Sequence, residues 1–175
     1  MNRLIAARSQ RGSVPVLAVT LLYLALFFLH LRVTGRSDLP ILFGDKTEAI
    51  FDLWSIQHFC SGALIGALLI RVSRDAKADR RTFVLFMLAI AIGWETTELA
   101  MESGVFGHAV SQWKHGHEHW ANRFVGDPAM VALGGLTARR YAWAWKAALL
   151  PCAIWLIVNI AAHDSMSINR LVFGP

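Results

Sequence analysis

Apolar residues in this sequence are gathered into blocks about as long as a bilayer is thick. Such blocks belong in lipid, because an irregular or half-paired backbone cannot cross hydrocarbon and an uninterrupted helix can. Five spans are expected, at 14–31, 53–72, 82–101, 121–138 and 141–162, each near the ~20 residues a helix needs to cross ~30 Å. With 55% hydrophobic and 17% charged residues, the expected fold is an all-α integral membrane bundle in a single domain, residues 1–175. The fourth span is the weakest. It carries Asp127, Pro128, Gly134 and Gly135, which keeps a four-span arrangement open, with this segment short, broken or buried among the others.

The first block, "VPVLAVTLLYLALFFLHL", follows Arg3, Arg8 and Arg11 in the manner of a signal peptide. Its apolar part is too long for a signal core and no small-residue cleavage site follows, so it is expected to remain as an anchor. Cys60 and Cys152 both fall in apolar blocks and read as small hydrophobes, not as a disulfide pair. The net charge of +5 does not mark a nucleic-acid binder, since the basic residues flank apolar blocks. With five spans, the N-terminal arginines, "RVSRDAKADRR" and the Arg139, Arg140, Lys146 group share one side. The positive-inside rule makes that side cytoplasmic, with the N-terminus inside, in a multi-pass protein of the cell inner membrane. Trp54, Trp113 and Trp120 then mark the outer interface, and Tyr141, Trp143 and Trp145 the inner one.

This topology brings ionisable residues to one level. His58 on span two, Glu95 and Glu98 on span three and Asp127 on span four each stand roughly 5–12 Å inside the outer boundary at 1.5 Å per residue. Glu95, Glu98 and Glu102 share one stripe, while Ser55, His58, Gly62 and Gly66 form another. Gly62 and Gly66 make a GxxxG pair suited to close approach of a helix, in this chain or in an oligomer or membrane complex. Such acids can serve only to bond helices together, and Glu102, nearest the interface, reads as a snorkelling acid. His58, Glu95, Glu98 and Asp127 together read as an outward-facing pocket, since intramembrane charges facing a bundle interior mark substrate, ion or proton paths.

Two chemistries suit the set: general acid and base work, with pKa values moved apart by burial, or ligation of a divalent metal such as Zn. The paired ExxH pattern of carboxylate-bridged metal bundles is missing. Outside the spans, "HAVSQWKHGHEHWANRF" alternates His115, His117 and His119, a second candidate metal site with His108 and Glu118 nearby. The same loop offers Lys114 and Arg123 for a phosphate or lipid headgroup. Asp52, Ser55, Trp94, Lys114, Asn122 and Arg123 are the candidate substrate contacts. His30 and His163 read as interfacial, and Asn159 as a group that caps a pocket or bonds a neighbouring helix.

The order "FDLWSIQHFCSG", "GWETTE", "RFVGDPAMVALGG" resembles the layout of VanZ-like membrane proteins and related uncharacterised families, the YjdF type among them, over about residues 50–138. The resemblance implies a multi-span bundle and singles out Asp52, His58, Glu95 and Asp127, with Gly134 matching the later glycine. VanZ-like proteins usually carry Asn four residues after the Asp, where this chain has Val131. The founding members' association with glycopeptide resistance implies an effect on cell-envelope lipids or their intermediates. Three functional readings follow: a protein that binds or processes a lipid-linked or amphipathic envelope substrate, a small ion-coupled transporter, or an accessory subunit of a membrane complex. No nucleophile motif such as GxSxG is present, so the residues leave open whether the chain is an enzyme.

Overall fold

The computed structural model describes residues 2–74 and 79–173. Residues 75–78 of the basic linker lie outside the described residues, as do the side chains of Arg3, Arg8 and Arg11. The helices are α1 (Asn2–Thr34), α2 (Trp54–Val72), α3 (Arg80–Glu102), α4 (His108–Lys114), α5 (Asp127–Arg140), α6 (Ala144–Ala161) and α7 (Ser167–Phe173). Two short strands, β1 (Ile41–Phe43) and β2 (Ala49–Phe51), pair in parallel between α1 and α2, with Ile41 opposite Ala49 and Phe43 opposite Phe51.

Four helices are long and apolar enough to cross a membrane: Val16–Thr34 within α1, then α2, α3 and α6. Their outward faces carry large exposed hydrophobics, Leu17, Leu21 and Phe28 on α1 and Leu150, Ile157 and Ile160 on α6. That pattern suits lipid as the surrounding solvent. The expected fourth span, 121–138, is helical but not among the four. A π-helical turn, Asn122–Gly126, leads into α5, and the Asp127 N–H bonds the Asn122 carbonyl across it. Asn122, Arg123 and Asp127 are all buried, so protein and not lipid surrounds the polar start of this helix.

Glycine sets how α5 is held. A Cβ on Gly62 would meet the Val131 carbonyl, one on Gly134 the Phe59 carbonyl, and one on Gly66 would lie 2.6 Å from the Gly135 Cα. The GxxxG pair therefore makes its close approach within the chain, and α5 takes up the surface that a second protein would need. Around this contact Phe83, Met87, Ala91 and Val131 form one apolar cluster, and Cys60, Ala63, Ala138, Ala144 and Ala148 another.

Alternating helix directions separate two ends of the bundle. At one end Arg71 stacks over Trp145 at 4.9 Å and Arg139 over Phe83 at 5.3 Å. At the other end lie the C-terminal turns of α1, α3 and α6 and the N-terminal turns of α2 and α5. A cap of loops covers this second end: the His119 N–H donates to the Lys46 carbonyl (2.8 Å), the Ser165 N–H to the Trp113 carbonyl (3.1 Å), and the Trp54 indole to the Ser165 carbonyl (3.0 Å).

Candidate functional site

Helix starts fix the first side chains. Asp52 and Ser55 form a reciprocal cap at the head of α2: the Ser55 N–H donates to Asp52 Oδ1 (3.0 Å) and the Asp52 N–H donates to Ser55 Oγ (3.2 Å). One turn on, His58 places Nε2 3.2 Å from Asp127 Oδ2, and Ser55 Oγ donates to the other Asp127 oxygen at 3.2 Å. On α3, Glu95 and Glu98 share a face. His58, Glu95 and Glu98 bring one donor atom each within 4.8 Å of one another, and Glu95, Glu118 and Asp127 do the same. The expected set His58, Glu95, Glu98 and Asp127 is thus assembled, and all four are buried.

The cations correct the expectation for the loop. Lys114 and Arg123 do not stand above the acids to receive an anion; they are buried among them. Lys114 Nζ donates to Glu98 Oε1 at 2.6 Å. Arg123 Nη2 donates to Glu102 at 2.8 Å and to Glu118 at 3.3 Å, while Nη1 donates to His30 Nδ1 at 3.1 Å. Glu102 is likewise no interfacial acid. It is buried and also accepts from Lys46 Nζ at 2.9 Å, while Lys46 donates to the Gly116 carbonyl at 3.0 Å. His30, expected at the interface, is fully buried beside Arg123.

Sequence reading missed Lys46 entirely and gave Glu118 only a supporting part in the loop. Each sits in a connection whose path is set by tertiary contacts. Burial pushes the Glu118 carboxyl well above the usual range, with Glu98 adding to the effect and Arg123 opposing it. For Lys114 burial alone would lower the ammonium pKa, but Glu98, Glu118 and Glu102 outweigh it and the net shift is upward. Asp52, between β2 and α2, is raised to about 7, first by burial and then by Asp127.

Six buried carboxyls, Asp52, Glu95, Glu98, Glu102, Glu118 and Asp127, face three buried fixed cations, Lys46, Lys114 and Arg123, among the described residues. The cations serve Glu98, Glu102 and Glu118. Neither oxygen of Glu95 has a hydrogen-bond partner among the described residues, and its ion pair with Arg123 Nε is 3.6 Å long. The second oxygens of Glu98 and Asp52 are also unpartnered, and Asp127 Oδ2 has only the 3.2 Å approach of His58 Nε2. These buried acidic and histidine groups have the donor types that could hold a metal ion.

A cavity of about 500 Å³ opens beside them. Its polar end is formed by His58 and Glu98, its walls by Trp54, Trp94 and Trp113, and it reaches Ile65 and Ile90, roughly 10–12 Å further along the helix axes at 1.5 Å per residue. Trp94, one of the expected contacts, is 46% exposed on this wall. Asn122 lies elsewhere: its amide donates to the Ile50 carbonyl at 3.2 Å and ties the π-helical turn to β2. Asn159 accepts from Ser167 Oγ at 2.8 Å, which bonds α6 to α7.

The alternating loop histidines do not assemble into a metal site. His115 Nε2 pairs with Asp164 at 2.9 Å, and His117 Nδ1 lies 3.4 Å from Glu102. His119 donates from Nε2 to the Asp38 carbonyl (3.1 Å) and accepts the Ala121 N–H at Nδ1 (3.1 Å). The left-handed backbone of His115 and Gly116 (φ 54° and 83°) turns the chain between the first two. Each imidazole thereby meets a different partner.

Comparison with known protein families, characterised proteins and solved structures gives no match to this chain.

Proposed function

We propose that the chain is a multi-pass protein of the cell inner membrane whose cavity takes an amphipathic, lipid-like envelope substrate from the outer leaflet. The apolar part of the ligand lies along Ile65 and Ile90, and its polar head meets His58 and Glu98. The observation that carries this reading is the cavity itself, apolar over most of its wall and ending on buried ionisable groups. Ligand pockets have this composition, with a few placed polar groups that fix orientation. The basic end of the bundle, facing the cytoplasm by the positive-inside rule, puts the acidic end outward. The VanZ-like order of motifs supports an envelope-lipid substrate. A divalent metal beside the cavity would polarise a phosphoryl or acyl oxygen of the head, with His58 and Glu95 as ligands or proton carriers and Asp127 as the second carboxylate behind the imidazole.

Gly93 provides the test. It lines the cavity, and a Cβ there meets nothing within 4 Å, so a side chain can be introduced at the cavity wall without a clash at its first atom. Gly93→Leu is expected to keep its folding stability within ~1 kcal/mol of wild type, helped by the better helix propensity. It is expected to lose most of the lipid that native mass spectrometry detects on the wild-type protein. Equal lipid retention by the two proteins would falsify the reading.

The excess of buried carboxyls over cations also favours a second reading, proton-coupled transport through the same acids. Proteoliposomes report on it directly. A proton flux that disappears in Glu95→Gln supports transport, and no flux above that of empty vesicles removes it.

A further inference from the structure

Within the buried set, two carboxylates near His58 are prepared on one side and open on the other, and a third is open on both. Glu98 gives Oε1 to Lys114 and leaves Oε2 without a partner; Asp127 gives Oδ1 to Ser55 and leaves Oδ2 outside hydrogen-bond geometry. Glu95 leaves both oxygens, although its residue is only 2% exposed. A buried carboxylate without donors costs free energy unless a proton or a cation answers it. Here the open oxygens do not scatter. They gather round one imidazole, His58, whose Nε2 already stands 3.2 Å from Asp127. Orienting hydrogen bonds to ligating carboxylates, and a carboxylate beside the ligating histidine, are what metal centres use to hold first contacts in place.

We infer that His58, Glu95 and Glu98 bind one divalent first-row transition metal ion, with Asp127 orienting the imidazole and Lys114 orienting Glu98. Donor atoms about 2.1 Å from an ion stand up to about 4.2 Å apart, and the three donors here already lie within 4.8 Å of one another. Small side-chain rotations close the difference. One nitrogen and two carboxylate oxygens suit Mn²⁺, Fe²⁺ or Zn²⁺ better than a soft ion such as Cu⁺. His58 and Glu98 form the polar end of the cavity, so the remaining coordination positions face the space where a ligand would lie. Glu95 also belongs to the second triad with Glu118 and Asp127, which makes it the shared residue of the site. The inference concerns ion binding alone and stands whatever the cavity takes.

The experiment measures metal on protein produced in unsupplemented medium, purified in mild detergent through a tag free of histidine, and analysed by inductively coupled plasma mass spectrometry. Wild type is expected to carry about one equivalent of one first-row metal per chain, and Glu95→Gln less than about a tenth of that. A value near two equivalents would overturn the single-ion assignment, since the second triad would then hold an ion through Asp127. The triple variant His115→Ala, His117→Ala, His119→Ala is expected to keep its metal. Metal retained in Glu95→Gln, or lost with the loop histidines, overturns the assignment. If Glu95→Gln does not elute as a folded species, EDTA-stripped wild type is titrated with Co²⁺: visible d–d absorption saturating near one equivalent supports the site, and none overturns it. The two variants separate the two proposals: loss of lipid with metal intact in Gly93→Leu belongs to the cavity, and loss of metal with lipid intact in Glu95→Gln belongs to this site.

Discussion

The buried polar cluster has two halves that are built on opposite terms. Toward the loop cap, Glu102, Glu118 and Glu98 meet Lys46, Arg123 and Lys114 at 2.6–3.3 Å. Deeper in the bundle, Glu95 and Asp127 stand beside His58, with Asp52 at the head of α2 above them, and no fixed cation lies within hydrogen-bond distance of the three. Both halves are equally removed from water, so burial does not distinguish them. Pairing does: the first half has the ion pairs that a fold needs to keep charges inside, and the second has unanswered capacity. That capacity makes the second half, together with the open oxygen of Glu98 at the junction of the two, the functional candidate, since natural proteins keep unsatisfied buried groups where they are used.

The sharpest way to break this comparison is to remove a cation from the paired half. Arg123→Met leaves Glu102 and Glu118 short of a partner, and stripping one member from a buried ion pair costs about 3–5 kcal/mol. A large fall in the thermal midpoint in detergent, or failure to elute as a single species, is expected. Lys114→Met should cost somewhat less, about 2–4 kcal/mol, because Glu98 loses only its 2.6 Å bond and can take up a proton. The Lys114 ammonium also lies 5.4 Å from the Trp54 ring centre, so a change in tryptophan fluorescence provides a second readout. Midpoints within a degree of wild type for both variants would mean that the two halves are not different in kind.

The unpaired half predicts the opposite sign. Glu95→Gln removes a carboxyl that makes no hydrogen bond and has only a 3.6 Å ion pair with Arg123 to lose, so stability should stay within about 1 kcal/mol of wild type or rise. The same variant is expected to lose metal, or proton flux where transport is assayed. A destabilisation as large as that of Arg123→Met would place Glu95 with the structural acids and remove the distinction.

How far the sequence anticipated this arrangement depends on whether a residue's depth follows from a helix. Rise per residue placed His58, Glu95, Glu98 and Asp127 at one level, and the structure brings those four together. Apolar blocks located α1, α2, α3 and α6, while the shorter α5 was legible as the odd member through Asp127 and the paired glycines. The loops were opaque for the same physical reason. No periodicity says that the connection from 35 to 53 folds back to insert Lys46, or that His119 anchors to Asp38 instead of joining a metal site. Sign alone misled at Arg123 and Lys114, since a cation near a pocket and a cation inside an acidic cluster look the same in a linear sequence. Glu102 misled by position, because a helix end counts as interfacial only if nothing folds over it.

The smallest effect tests the boundary between the halves, where Asp52 caps α2 with its second oxygen free. Its folded pKa of about 7 lies well above the ordinary range for an aspartate, with burial and Asp127 raising it and Ser55, His58 and Lys46 opposing. The folded chain therefore holds a proton on Asp52 that the unfolded chain has already released across that interval. Folding stability attributable to this group is fully present below pH ~4, falls as pH rises through the window from ~4 to ~7, and is level above it. Asp52→Asn keeps an oxygen to accept the Ser55 N–H and has no proton to lose. The folding stability of the variant relative to wild type should therefore climb between pH 4.5 and pH 7.5, by roughly 1–3 kcal/mol in detergent. A difference that stays flat, or declines toward alkaline pH, would show that Asp52 is already ionised and answered by Lys46, which would move it into the paired half.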